Sequence, residues 1–513
     1  MLRRRDEAQG SEAAPVVGLS PTYVVGRPLV ARDGRLDPDV PRCLRLEAGR
    51  IVACEPLDAG RPPREECVLG DEDALLLPAF ADPHLHLVAC AADRTGPDLA
   101  AAAPATIVEL LELLRGAADG LPPETWLRVS GYDEAWLAER RHPGRAELDR
   151  ALPRHPLRLR HATRHATLLN SAAWTRVEQA LGPLPVERAP RDASGAPLGV
   201  VFGLEPEITR VVGAIEPVAL ARGLRSVGEA LARCGVTHVD EVTASNDASR
   251  VALLADAVAR GDIPQRVRAF VADPDEAGPA RRAGGGHVTI AGVKLLARST
   301  DEVHDASFAD RLRRARLQGL SVAVHAVEPD VVVAVLDALA SAPPRTGGDD
   351  VPDRLEHASL CPPEVVRRIA SAGVAVVSQP AFVAWRGDKY LREVEEPLRE
   401  WLYPLRDLRR SGVTVAAGSD APVAPLDPRI GLDGAVRRTT RGGGIVAAGQ
   451  ALDERDALDL YTSAPARLRG ARGSYGIAPG AAADVLVVEP DSWRERWLGL
   501  RVRHTLSAGR VIA

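Results

Sequence analysis

Through most of the chain, short apolar runs bounded by Gly, Pro and Asp alternate with longer amphipathic stretches. Only the two ends break this rhythm. In the middle, Leu75-Leu-Leu-Pro-Ala-Phe80 running into His84 and His86 reads as a first buried strand. Further strands are expected at Gly235–Asp240, Arg266–Val271, Val288–Lys294, Ser321–His325, Arg354–His357, Val374–Ser378 and Val413–Ala417. Eight such runs separated by helical patterns predict an α/β fold, a (β/α)8 barrel over residues 78–470. The stretch from about 92 to 225 is too long for one connection and predicts an insertion subdomain over the barrel mouth. The ends differ in texture. Tyr23–Val25, Cys43–Leu46 and Arg50–Ala53 read as short strands, as do Ala483–Glu489, Val502–Leu506 and Gly509–Ile512. Residues 1–77 and 471–513 are therefore expected to build one small β-sandwich domain from both termini. Gly284–Gly286 predicts a turn, and Ser341–Asp353 a Pro/Gly/Asp loop.

Composition narrows the class. The chain has 513 residues, 45% of them hydrophobic, which places it among globular proteins. A formal charge of −5 gives no electrostatic footprint for nucleic acid or an acidic membrane surface. No apolar run is long enough to span a bilayer. The basic start Met1–Arg5 is followed by a polar stretch, Asp6–Glu12, so no secretory signal is expected. Six scattered cysteines without a Cys-x-x-Cys pair read as reduced thiols of a cytoplasmic protein. The basic residues are lopsided: only Lys294 and Lys389 are lysines, the rest arginines. A lysine at a special position is therefore unlike a casual surface choice.

The chemistry-bearing residues fall at strand ends. His84 and His86, spaced i, i+2, project to one face at the end of the first strand. Lys294 ends the fourth strand, His325 the fifth and His357 the sixth, and Asp420 follows the eighth. Barrel enzymes place reactive groups at these ends. Any one strand-end histidine reads more readily as an ordinary core or loop residue than as a ligand. Four imidazoles, a carboxylate and a rare lysine together point to a site for zinc or a similar divalent ion, one or two in number.

Pro78-Ala-Phe-Ala-Asp-Pro-His-Leu-His86 resembles the entry motif of the amidohydrolase superfamily. The resemblance is closer to one branch, the YtcJ-like metal-dependent hydrolases of the amidohydrolase-3 group. Its landmarks occur here in order: Gly131-Tyr-Asp-Glu134, Arg164–Ser171, Gly235-Val-Thr237, Val293-Lys-Leu295, Arg354–Ala358, Ser378-Gln-Pro380, Gly418–Val423 and Tyr461-Thr. The resemblance implies a TIM barrel with a β-sandwich made from both termini. It also implies that His84 and His86 bind one metal, that His325 and His357 bind a second, and that Lys294 bridges as a carbamate. Asp420 would contact the first metal and act as the catalytic acid–base, taking a proton from the attacking water and passing it to the leaving amine. A plain ion-pair lysine beside a mononuclear site is the competing reading for Lys294.

Weaker expectations surround this set. Tyr132, His165, Gln379 and Trp385 are candidate substrate-binding residues, each with a structural alternative: a loop held by hydrogen bonds for His165 with Asn170 and Ser171, core packing for Trp385 and Trp401. Glu356 reads as a partner behind the ligands or an ion pair. His142, His155 and His304 read as solvated. Two departures from the branch stand at the barrel mouth: Leu295–Asp301 is shorter and poorer in glycine, and Glu328-Pro329 replaces the usual Gly-Asp after His325.

These readings converge on a cytoplasmic metal-dependent hydrolase of a small molecule, cleaving a non-peptide C–N bond such as an amide, N-acyl or N-formyl bond by metal-activated water. Ester, lactone or deamination chemistry at the same site is the alternative. A non-catalytic binding barrel predicts missing ligands, yet all six positions are filled. No nucleic-acid or membrane partner is expected, and a homodimer is left open.

Overall fold

A computed structural model describes residues 18, 20–62, 66–97, 99–102, 104–347, 351–471 and 475–513. The basic start and the polar stretch after it lie outside these residues, as do 348–350 of the loop expected over Ser341–Asp353. The chain divides into two compact units, Met1–His86 with Gly228–Ala513, and Leu87–Val227.

The first unit contains an eight-stranded parallel sheet of strands β1 (Phe80–Leu85), β2 (Val236–Glu241), β3 (Arg266–Val271), β4 (Val288–Leu296), β5 (Ser321–Ala326), β6 (Arg354–His357), β7 (Ala375–Ser378) and β8 (Val415–Ala417), paired in sequence order. Helices cover its outside, so strands such as β1, β6, β7 and β8 are buried at every residue. The ring closes where Leu85 bridges Ala421 in parallel. Asp420 N–H donates to His84 O (2.8 Å) and His86 N–H to Ala421 O (2.9 Å) across this seam. This is the TIM barrel expected from the eight apolar runs.

One boundary is corrected. Leu75–Pro78 do not begin the barrel; they end a strand, Val68–Pro78, that pairs antiparallel with Val485–Val488 in register Leu75↔Val488 to Pro78↔Val485. The apolar run is continuous because the chain is buried in two successive sheets. Only Ala79, whose N–H donates to Asp484 O, marks the hand-over. Val68–Pro78 also pairs in parallel with Tyr23–Arg32, so both chain ends join one eight-stranded mixed sheet. That sheet turns back on itself: Arg50 bridges Ala482, and Ala483 N–H donates to Gly49 O. Its enclosed face packs Val24, Leu44, Ile51, Leu76, Val487 and Val511 into one core. Strands from both termini thus share one mixed sheet, as the β-sandwich expected from the two ends requires.

The second unit is built on a four-stranded sheet ordered Val200–Phe202, Ala166–Leu169, Leu157–His161, Leu127–Tyr132. Its core gathers Leu110, Leu114, Tyr132, Leu148 and Leu159.

Inside the barrel, β4 and β5 approach too closely for any side chain at Gly292. A Cβ there would stand 2.2 Å from Ser321 O. Gly292 pairs with Ser321, and Lys294 follows two residues later opposite Ala323, so this contact sets where Lys294 sits. Gly292→Ala should destabilise the chain by about 1–3 kcal/mol, the usual cost of overpacking a well-filled core. Chemical denaturation measures it; a midpoint equal to wild type would show that β4 can shift at no cost.

Candidate metal centre

Each expected ligand sits where a strand leaves the barrel interior, and each of three imidazoles has a hydrogen bond that fixes its ring. His84, on β1 and 1% exposed, has Nδ1 on Glu356 Oε2 of β6. His86 Nδ1 lies 2.9 Å from Thr243 Oγ1, just past β2. His357 Nδ1 lies 2.7 Å from Gln379 Oε1, just past β7. Fixing Nδ1 in this way turns Nε2 toward the interior, the arrangement metal-binding histidines commonly show. The two Nε2 atoms of His84 and His86 face the same oxygen, Asp420 Oδ1, at 3.4 and 3.1 Å. The donor atoms of His84, His86 and Asp420 all lie within 4.8 Å of one another. The remaining rings are adjacent: His84 to His357 at 5.0 Å between centroids, and His325 to His357 at 4.5 Å.

Backbone strain and a buried clasp place these groups. His357 (φ 76°), Ala358 (φ 45°) and Asp420 (φ 53°) occupy the left-handed region, disfavoured without glycine and found where surroundings over-determine the chain. Asp82 Oδ1 accepts from the N–H groups of His84 (3.0 Å) and Ser419 (3.1 Å), and Oδ2 from the Ser419 hydroxyl (2.5 Å). A Cβ at Gly418 would stand 2.6 Å from His84 Cβ. The segment after β8 therefore lies against β1 closely enough to bring Asp420 to the two histidines.

Charge is distributed unequally over the set. Burial opposes ionisation of Asp420, but hydrogen bonds from His84 and His86 outweigh it and hold the carboxyl well below its ordinary value. Burial would lower His84, yet the Glu356 carboxylate keeps it above its ordinary value. Burial drives His325 down to about 2 and His357 to about 4, so both are neutral imidazoles able to donate lone pairs. Lys294 is 2% exposed, and its Nζ has no hydrogen-bond partner among the described residues. Burial lowers it to about 8, against the pull of Glu356 and Asp420.

Behind the imidazoles lies a network of which the sequence singled out only Glu356. Arg354, alternating with Glu356 and so on the same face of β6, donates from Nε to Glu356 Oε1 (2.6 Å), from Nη1 to Asp240 Oδ2 (2.8 Å) and from Nη2 to Pro83 O (2.9 Å). The i, i+2 spacing Arg354-x-Glu356 was the available signal.

The substrate-facing candidates scatter. Gln379 is fully buried, holds His357 and donates to Val377 O (3.2 Å). Trp385 is half-buried, packed with Trp401 against the cluster around Phe382 and Tyr403, with the Arg441 guanidinium 4.5 Å above its ring. Tyr132 and His165 belong to the second unit, the first buried with its hydroxyl 2.9 Å from His142 Nδ1, the second exposed. Asn170 caps the helix Ser171–Leu181 through Ala173 N–H, and Ser171 donates to Asp149. Two expectations of solvation are corrected. His155 is buried, with Nδ1 3.2 Å from Thr125 O, and His142 is half-buried against Tyr132. His304 is exposed.

The model of the amidohydrolase family matches residues 72–513. The chain belongs to the amidohydrolase family. It is similar to the YtcJ protein of Bacillus subtilis (strain 168), 29% identical over 84% of this chain and 87% of that protein. It is also similar to the N-substituted formamide deformylase of Arthrobacter pascens, 27% identical over 87% of this chain and 89% of that protein. A metal-dependent hydrolase of Pyrococcus horikoshii OT3 shares the fold, with a TM-score of 0.68 at 22% identity, covering 91% of this chain and 97% of that one. Family membership makes this amidohydrolase an enzyme that hydrolyses C–N bonds.

Glu356→Gln removes the charge shared by Arg354 and His84 while keeping the shape. Stability should fall by up to about 3–5 kcal/mol, the effect of leaving a buried cation short of its partner. Urea denaturation reads it; an unchanged midpoint would show that Asp240 alone satisfies Arg354.

Proposed function

We propose that this amidohydrolase is a metal-dependent hydrolase of an amide in a small molecule, of the N-acyl or N-formyl class. The observation that carries the reading is the convergence of the His84, His86 and Asp420 donor atoms at one point beside two neutral imidazoles and a buried lysine. The similarity to a formamide deformylase over most of both chains supports the N-formyl class.

The donor set fits divalent zinc. Imidazole and carboxylate are its usual ligands, and an amine with no hydrogen-bond partner at 2% exposure is an orphaned polar atom that the protein alone leaves unexplained. His84, His86 and Asp420 would hold one ion, His325 and His357 a second, and Lys294 would join the two as a carbamate. With its value near 8, Lys294 carries a neutral fraction at physiological pH; that amine adds to carbon dioxide, forming an N–C bond and releasing a proton. Bound there, the ions would supply an acidified water and polarise the substrate carbonyl.

The chain's own groups do the rest. Asp420, ionised between two imidazoles, receives the proton of the attacking water on its carboxylate and returns it to the nitrogen of the leaving amine. Glu356, Thr243 and Gln379 keep the imidazole rings from turning. Trp385 is the candidate wall for the acyl or amine substituent.

Three measurements test this. N-formyl, N-acyl and ester compounds presented to metal-loaded enzyme should show turnover of an amide; turnover of esters alone would move the reading to the ester alternative. Asp420→Asn should lower kcat by ~10²–10⁴-fold, the range of general acid–base groups, with a much smaller loss of metal. A variant within a few-fold of wild type would remove Asp420 from proton transfer. Lys294→Ala should lose most activity and regain part of it with short-chain carboxylates, and Lys294→Arg should be inactive because guanidinium stays charged. Full activity in Lys294→Arg would leave the lysine as a pocket cation.

A further inference from the structure

A second cluster of donor atoms lies wholly within the unit Leu87–Val227. The strand Leu127–Tyr132 runs directly into Asp133 and Glu134, and its parallel neighbour Leu157–His161 ends on His161, in register with Tyr132. His142 comes from the segment between them. His161 Nε2 lies 2.7 Å from Glu134 Oε2 and 3.6 Å from Asp133 Oδ1. His142 Nδ1 is 3.6 Å from the same Glu134 oxygen. The donor atoms of Asp133, Glu134 and His161 all lie within 4.8 Å of one another, as those of His84, His86 and Asp420 do. The other ring nitrogen of His161 is anchored 2.7 Å from Thr163 Oγ1, which turns Nε2 toward the carboxylates.

We propose that Asp133, Glu134, His142 and His161 form a second divalent-cation site, built of residues of this unit alone, that takes a zinc-like ion and cross-links the insertion unit. The spacing suits it. Zinc–ligand bonds of about 2.0–2.1 Å in a tetrahedron put neighbouring donors about 3.3 Å apart. The two 3.6 Å separations lie close to that edge, and the His161–Glu134 pair needs to open only slightly. The charge suits it as well, since two carboxylates and two imidazoles neutralise a dication. Burial holds His142 below its ordinary value, leaving it a neutral ligand. His161, which burial alone would lower, is kept above its ordinary value by Asp133 and Glu134, and the cation replaces the proton held between them. His142 Nδ1, 2.9 Å from the Tyr132 hydroxyl, would exchange that hydrogen bond for the ion. Asp133, Glu134 and His161 supply three converging donors, and His142, outside that group but 3.6 Å from the Glu134 oxygen, would swing in as the fourth to close the shell, the mark of a structural site rather than a catalytic one. Such an ion would tie the end of one strand, the turn Glu134–Trp136 and the His142 segment to the neighbouring strand.

The test counts metal on the full chain, loaded with zinc and passed through gel filtration. His161→Ala and the near-isosteric Glu134→Gln should each lose one equivalent relative to wild type. His84→Ala/His86→Ala should keep that equivalent, and its melting temperature should rise with added zinc. Adding His161→Ala to that variant should abolish both the equivalent and the rise. Cobalt(II) in His84→Ala/His86→Ala should give the intense visible bands of a tetrahedral site, absent once Glu134 is Gln. If His161→Ala and Glu134→Gln leave the count unchanged, or His84→Ala/His86→Ala emerges metal-free, the proposal is overturned. Failure of the barrel reading looks different: the count would then fall with His161→Ala and not with His84→Ala/His86→Ala.

Discussion

A guanidinium buried inside the barrel is the constraint on which the site depends. Arg354 is 2% exposed, and an ion so placed is tolerated only if its charge and its N–H groups are matched. The partners it finds come from three strands: Pro83 O on β1, Asp240 on β2 and Glu356 on its own β6. Phe270 of β3 lies beneath it, with its ring centroid 4.3 Å from the guanidinium carbon. The polar layer therefore cannot be loosened at one strand without stranding charge at another. Glu356 transmits this rigidity upward, since its second oxygen holds His84. The floor of the site is an ion-pair lattice where many barrels carry packed aliphatic side chains.

Above that floor, the barrel's seam does the positioning. The first and last strands meet through few ladder bonds, so the contact is made up by the Asp82–Ser419 clasp and the close approach that Gly418 permits. Asp82 is 2% exposed, and burial lifts it to about 6 despite those hydrogen bonds. Closing the ring and assembling the site are one event. The same backbone bonds that join His84 and His86 to the segment after β8 bring Asp420 between the two imidazoles. The left-handed conformations of His357 and Asp420 follow, because each chain must turn out of the barrel at once to aim its side chain inward.

Much of this was legible in the sequence, for definite reasons. A parallel strand buried on both faces is a nearly unbroken apolar run, and a polar residue late in such a run stands out; His84, His86, Lys294, His325 and His357 were singled out that way, and all lie on or just past barrel strands. The same logic failed where burial continued across a boundary, as in Leu75–Phe80, which serves two sheets. It failed again where a charged residue lay inside a strand: Arg354 and Asp240 look like surface residues until the register brings Arg354 opposite Ala323 and across to Asp240. Histidines flanked by charges were read as solvated, yet His155 is buried and His142 is half-buried against Tyr132. Local composition does not report which loops pack back onto their own sheet.

The chain's exits from β4 and β5 are held close to the barrel. After β4 there is no long excursion. Ala297 N–H donates to His325 O (3.1 Å), Ser299 caps the helix Thr300–His304 through Glu302 N–H, and Arg298 pairs with Glu302 (2.6 Å). After β5, Pro329 at the first turn of the helix Pro329–Ser341 fixes the chain's direction, where Gly-Asp would leave it free to bend toward the site. Both exits are therefore short and stiff, so they cannot fold over a substrate as a longer glycine-containing loop can. The clustered side chains argue for the reaction, since the four histidines, Asp420 and Lys294 are of the residue types that metal-assisted hydrolysis uses. The walls do not carry over in the same way, because wall shape depends on loops such as these, which here are capped and ion-paired. Similarity at 27% and 29% identity therefore bears on the reaction more than on the acyl or amine group it acts on.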